Sequence, residues 1–109
     1  MSFGKISCGK SWVKAPVSAP KESTPNAVAE APGGTLWSGG MYYSGGKDLT
    51  LTLRWNGKEW TRVTSPATSA QIEGMGFASA KYGWAVGEAN PYSGNSRTYI
   101  LHWNGSKWS

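Results

Sequence analysis

The sequence predicts an all-β chain made of two tandem copies of one four-stranded antiparallel unit. Three observations predict it. Tryptophans 12, 60 and 108 are spaced by 48 residues and close three related hexapeptides: Ser7-Cys8-Gly9-Lys10-Ser11-Trp12, Trp55-Asn56-Gly57-Lys58-Glu59-Trp60 and Trp103-Asn104-Gly105-Ser106-Lys107-Trp108. Short runs of β-formers alternate with Gly, Asn, Pro and Ser clusters. No stretch carries the 3.6-residue apolar periodicity of a helix.

The repeat extends beyond the hexapeptides. At the same offset Thr50 falls on Thr98, Leu53 on Leu101, and Leu36-Trp37-Ser38-Gly39 on Trp84-Ala85-Val86-Gly87. This gives residues 1–12 as the tail of a preceding unit, 13–60 as the first repeat and 61–109 as the second.

Each unit is read as strands A to D. Strand A is expected near 26–30 and 73–78, strand B at 35–39 and 83–87, and strand C at 49–55 and 97–103. Strand D is expected at 12–14 and 60–63, with a stub at 108. Gly83 to Gly87 (GWAVG) reads as a compact buried strand bounded by glycines. Arg97 to Trp103 alternates β-formers. Asn56-Gly57 and Asn104-Gly105 are type I′ hairpin signals, which require positive φ at both central residues. Ala15 to Pro25, rich in Pro, Ser and Ala, reads as a long loop.

Four antiparallel strands in about 48 residues is the measure of a β-propeller blade. Gly83-Trp84-Ala85-Val86-Gly87 followed by Leu101-His102-Trp103-Asn104-Gly105-Ser106-Lys107-Trp108 resembles the bacterial propeller repeats written WAVG…HWNGxxW. The first unit matches the second half of that pattern and departs at Leu36-Trp37-Ser38-Gly39. The resemblance covers almost the whole chain. It implies propeller blades from a secreted or cell-surface context, and it implies no activity, because such repeats serve as modules of many proteins. The N-terminus lacks the apolar segment of a signal peptide.

Two blades do not close a ring, since propellers need roughly four to eight. The N-terminal strand D, Trp12 to Lys14, is expected to complete the last blade of a neighbouring copy. Such a contact is head to tail and closes on itself or runs on as a fibre. Three copies give six blades and four give eight, with three preferred. A piece cut from a longer propeller carries the same overlap.

Charge and composition limit the remaining functions. The 109 residues carry a net charge of +5, but the cations are scattered and no nucleic-acid motif accompanies them. No apolar run is long enough to span a membrane as a helix. Cys8 is the single cysteine and stands where Asn56 and Asn104 stand in the later copies, so it reads as a turn substitution. No metal or cofactor constellation is present. The six acids form no recognisable acid/base pair of the kind a glycosidase needs, and the chain is read as a non-enzyme. His102 aligns with Arg54 and reads as an exposed strand residue.

The recurring tryptophans, Trp12, Trp55, Trp60, Trp84, Trp103 and Trp108, read as packing residues. The aromatics of the B–C connections do not recur. These connections, read as Gly40 to Asp48 and Glu88 to Arg97, gather Tyr42, Tyr43 and Tyr92 with Asp48, Glu88, Asn90 and Arg97. Trp37, aligned with Ala85, joins them. An aromatic ring stacks on the apolar face of a pyranose while amide, carboxylate and guanidinium groups take its hydroxyls. The set predicts lectin-like carbohydrate binding, repeated around a ring. A protein-interaction or purely structural propeller fragment without ligand is the other reading.

Overall fold

The computed structural model describes residues 14–109. The expected N-terminal strand at Trp12 and the turn at Cys8 lie outside the described residues. Eight strands follow in order: β1 Val17–Ser18, β2 Ser23–Glu30, β3 Leu36–Ser44, β4 Lys47–Trp55, β5 Trp60–Arg62, β6 Ala70–Ser79, β7 Tyr82–Ala89 and β8 Arg97–Trp103. They form two sheets, β1-β5-β4-β3-β2 and β6-β7-β8, whose neighbours are antiparallel except for the β1–β5 pair. The chain is all-β, and the expected strands A to D appear as β2 to β5, then β6 to β8 with a lone bridge from Trp103 to Trp108.

The two sheets share one irregularity at the start of their first ladder, and the second sheet has another between Phe77 and Ser79. In the first, the β2–β3 ladder slips between Pro25 and Ala27. In the second, the β6–β7 ladder slips between Ile72 and Gly74. Each slip is a bulge that leaves one residue, Asn26 or Glu73, outside the ladder. The Asn26 side-chain amide donates to the Ile72 carbonyl at 3.2 Å, so one bulge is tied to the next. Beside each bulge the partner strand carries a glycine. A Cβ on Gly40 would overlap the Thr24 carbonyl oxygen, and one on Gly87 would overlap that of Gln71.

Pairing register corrects the alignment of strand B. Trp37 pairs with Arg54, and Trp84 pairs with His102, the residue 48 positions after Arg54. Trp37 therefore corresponds to Trp84 and not to Ala85, and Trp37-Ser38-Gly39-Gly40 corresponds to Trp84-Ala85-Val86-Gly87. Strands A and B repeat at 47 residues, strands C and D at 48. The extra residue lies in the β7–β8 connection.

The turns also differ from expectation. Gly40 to Asp48 is a continuous hairpin, not a loop. Only Gly45 and Gly46 connect β3 to β4, and their φ values of 59° and 79° are the mark of a type I′ turn. At Asn56-Gly57 and Asn104-Gly105 only the glycine has positive φ, 97° in each. The asparagines instead cap their turns through Oδ1, which accepts from the amides of Lys58 and Glu59, and of Ser106 and Lys107, at 2.8–2.9 Å. Part of the expected 15–25 loop is strand, because β1 lies beside β5 and Ser23 already belongs to β2.

Alternation along β3 and β4 gives the first sheet two faces. Trp37, Gly39, Thr50, Thr52 and Arg54 share one; Tyr42, Leu51, Leu53 and Trp60 share the other. The Trp37 face packs on the second sheet, giving a core of Trp37, Ile72, Ala85, Leu101, Trp103 and Trp108. Trp37 is edge-on to Trp103 and Trp108, with ring centroids 4.8 and 5.4 Å away, and stacks on Phe77 at 5.5 Å. The Arg54 guanidinium lies 5.2 Å over the Trp37 ring and 5.9 Å over that of Trp103. The connector after β5 crosses the same face. The Val63 amide donates to the Thr52 carbonyl at 2.9 Å, the Thr52 hydroxyl donates back to the Val63 carbonyl, and Thr50 binds Thr68. The opposite face forms a second core of Tyr42, Leu51, Leu53 and Trp60, against which Ala15 and Ala19 pack.

Candidate functional site

The connections β3–β4 and β7–β8, together with the connector before β6, lie at one end of the two sheets. The β3–β4 hairpin ends there in Tyr43 and Asp48, which face each other across the ladder. Tyr43 is 52% exposed, and its amide donates to the Glu22 carbonyl at 2.9 Å, which fixes the end of the hairpin on β2. Its side chain is half exposed while its backbone is held.

In the second sheet Glu88 ends on β7, half-buried, opposite Thr98, and Ala89 pairs with exposed Arg97. Asn90 to Ser96 form a loop held by its own hydrogen bonds and by one to the connector before β6. The Asn90 amide donates to the Ser69 carbonyl at 2.7 Å, the Ser93 hydroxyl to the Asn90 carbonyl at 3.0 Å, and the Asn95 amide to the Ser93 hydroxyl at 3.1 Å. Asn90 and Tyr92 both have positive φ, 53° and 66°. Asparagine tolerates that region, but a tyrosine there is strained. Tyr92 is also 79% exposed, so no packing explains its conformation. A strained, exposed aromatic on a braced loop is the strongest local signal of function at this end.

The structure divides the sequence-predicted set. Tyr43 with Asp48, and Glu88, Asn90, Tyr92 and Arg97, stand at the common end. Trp37 and Tyr42 do not join them. Trp37 is 1% exposed, shut between the sheets. Tyr42 is buried on the opposite face, where its hydroxyl accepts from the Arg62 guanidinium at 2.9 Å and its ring lies 4.7 Å beneath the same group. The 48-residue offset sets Trp37 opposite Ala85, where the ladder sets it opposite Trp84, and Tyr42 belongs to β3 and not to a loop. Both are structural.

Trp84 departs from its expected burial. It stands 44% exposed on β7, on the outer face of the second sheet, beside exposed Tyr82, Val86 and Ile100. His102 lies between the rings of Tyr82 and Trp84, with centroids 4.6 Å from each, and is half-buried. Its Nε2 is buried without a hydrogen-bond partner among the described residues. The period-two pattern Tyr82, Trp84, Val86 and Ile100, His102 on neighbouring strands carried this patch in the sequence. It was hidden by reading both faces of β7 as buried.

Comparison with protein-family models, with curated proteins and with solved structures finds no match to this chain.

Proposed function

We propose that the chain is a self-assembling β-propeller binding module. In this reading each sheet is a blade, and copies join head to tail into a closed ring of three chains with six blades or four chains with eight. The loop end then presents repeated lectin-like contacts for carbohydrate, built from Tyr43, Asp48, Glu88, Asn90, Tyr92 and Arg97.

One observation carries the assembly. The Trp37 face of the first sheet is covered by the second sheet, while on the matching face of the second sheet Tyr82, Trp84, Val86 and Ile100 stand exposed. A contiguous exposed apolar face favours association. Native mass by light scattering tests it: a sharp trimer or tetramer is the expected result, and a monomer or polydisperse mixture ends the closed-ring reading.

The strained, exposed Tyr92 supports ligand contact at the loop end. A glycan array is expected to return a defined class of sugars, with avidity raised by several equivalent sites. A blank array on an intact ring would leave a protein-interaction or structural role, for which the aromatic Tyr82–Trp84 surface is the supporting feature.

A further inference from the structure

We propose that the outer face of the first sheet is a groove for extended peptide segments rich in alanine and proline, and that residues 14–20 lie in it as an internal, displaceable ligand. The proposal goes beyond the assembly and sugar readings and depends on neither.

The floor of the groove is the second core, Tyr42, Leu51, Leu53 and Trp60, with Trp55 packed beside it. The strap that crosses this floor gives it little. Ala15 and Ala19 pack on the core, while Lys14, Pro16, Val17 and Ser18 are exposed, Val17 to 55%. The contrast with the connector after β5 is direct. That connector sends Val63, 48 residues after Ala15, into the first core. At the matching point the strap offers one methyl group. Aromatic and leucine side chains are thus met by two alanines.

The backbone of the strap is held as an added strand. Val17 lies opposite Trp60 and Ser18 opposite Thr61, and the Trp60 amide donates to the Pro16 carbonyl at 2.9 Å. Addition of an extended segment to a sheet edge is a general mode of peptide recognition, in which main-chain bonds hold the peptide and side-chain pockets select it. The pairing is two rungs long and parallel, whereas every other ladder among the described residues is antiparallel. Strands β2 to β5 already make up the four-stranded unit of the repeat, so β1 is additional to it. The strap also has a defined pivot. Residues 21–22 form a turn, and the Ser23 hydroxyl, at the start of β2, donates to the Pro20 carbonyl.

The strap itself shows which chemistry fits. Small side chains at 15 and 19 let the backbone approach the floor. Each is followed by proline, whose fixed φ lowers the cost of ordering an extended segment. The proline at 16 has no amide to donate, and its carbonyl makes the bond to Trp60. A segment of the form Ala-Pro-x-x-Ala-Pro from another protein has the same features and can take the same place.

The test uses the full-length double variant Ala15→Glu/Ala19→Glu, which charges the two contact points of the strap and leaves β2 to β8 unchanged. Circular dichroism establishes that it is folded. A synthetic peptide with the sequence of residues 14–20 is titrated into variant and wild type, and the amide signals of Leu51, Leu53 and Trp60 are followed by NMR. Saturable shifts are expected in the variant. The wild type should bind at least about tenfold more weakly, because its own strap competes at millimolar effective concentration. A peptide with glutamate at both alanine positions should not bind the variant. A folded variant that shows no shift overturns the proposal, and so does equal binding by variant and wild type, which would place the peptide elsewhere. If the variant does not fold, hydrogen exchange of the wild type decides. The Trp60 amide, held by the strap, should exchange about a hundredfold faster than the Val63 amide, held by the Thr52 carbonyl. Equal protection would make the strap part of the cooperative core, and the groove would then have no displaceable ligand.

Discussion

Trp37 and Trp84 hold the same position in two sheets of the same register, yet one is 1% exposed and the other 44%. Their chemistry is identical and their backbone pairing equivalent. Only the layer above them differs. The pair therefore separates what a residue does for its own sheet from what it does between sheets.

Truncating the two should give very different outcomes. Trp37→Ala removes a ring clasped by Phe77, Trp103 and Trp108 and should cost about 3–5 kcal/mol. Trp84→Ala should cost a single chain only about 1 kcal/mol, from its lost ring contacts with Tyr82 and His102. Guanidinium unfolding at a protein concentration low enough to keep the chain monomeric checks both. Equal losses would contradict the different burial.

Gly40→Ala and Gly87→Ala should each destabilise by about 2 kcal/mol or more, because the new methyl group meets a carbonyl oxygen of the neighbouring strand. Gly76→Ala, at a strand position with open space around its Cβ, is the control and should be near neutral. Thermal melts of the three variants are sufficient.

Asn56→Ala and Asn104→Ala each leave two turn amides without their side-chain acceptor. Both amides are exposed and water replaces the partner, so each loss should be about 1 kcal/mol. The two sites share no partner, and the double variant should show the sum within about 0.5 kcal/mol. Urea titration of the four proteins completes the cycle.

Tyr92→Gly should raise stability by about 0.5–1 kcal/mol by releasing a side chain from the left-handed region. The same variant should lose the glycan signal if Tyr92 contacts sugar. Tyr43→Ala should lose it too, at a stability cost below about 0.5 kcal/mol. Tyr42→Ala should instead cost about 3 kcal/mol, since its ring is buried under Arg62. Scanning calorimetry beside a glycan array separates the three; a stabilised Tyr92→Gly that still binds would remove Tyr92 from the site.

Strand existence was legible in β4 and β8 because each is short, rich in β-formers and closed by an Asn-Gly turn, so local preference and tertiary structure agree. Three features were not. The one-residue length difference between the β3–β4 and β7–β8 connections shifted strand B in the alignment, because glycines at 39, 40 and 87 fit either offset. Only the ladder from Trp37 to Arg54 and from Trp84 to His102 decides between them. The Gly45-Gly46 turn was obscured by the polar residues on both sides of it, Ser44 and Lys47, which read as loop. The exposure of Trp84 left only one trace, the period-two pattern it shares with Tyr82 and Val86, since a tryptophan's burial depends on which layer covers it. At the candidate site, Tyr43 and Tyr92 were found through their failure to recur, while the strain at Tyr92 is a property of φ and leaves no trace in composition.

The extra residue between β7 and β8 has a practical side. The second sheet absorbs it beyond the last rungs of its ladder, Glu88 to Thr98 and Ala89 to Arg97, while the bulge at Glu73 and the glycine at 87 keep their registry. Length at this position is thus decoupled from the framework beneath it. A peptide spliced between Tyr92 and Asn95 would be displayed from a fixed base, and a library of such inserts could be varied in size and sequence without re-engineering the strands that carry it.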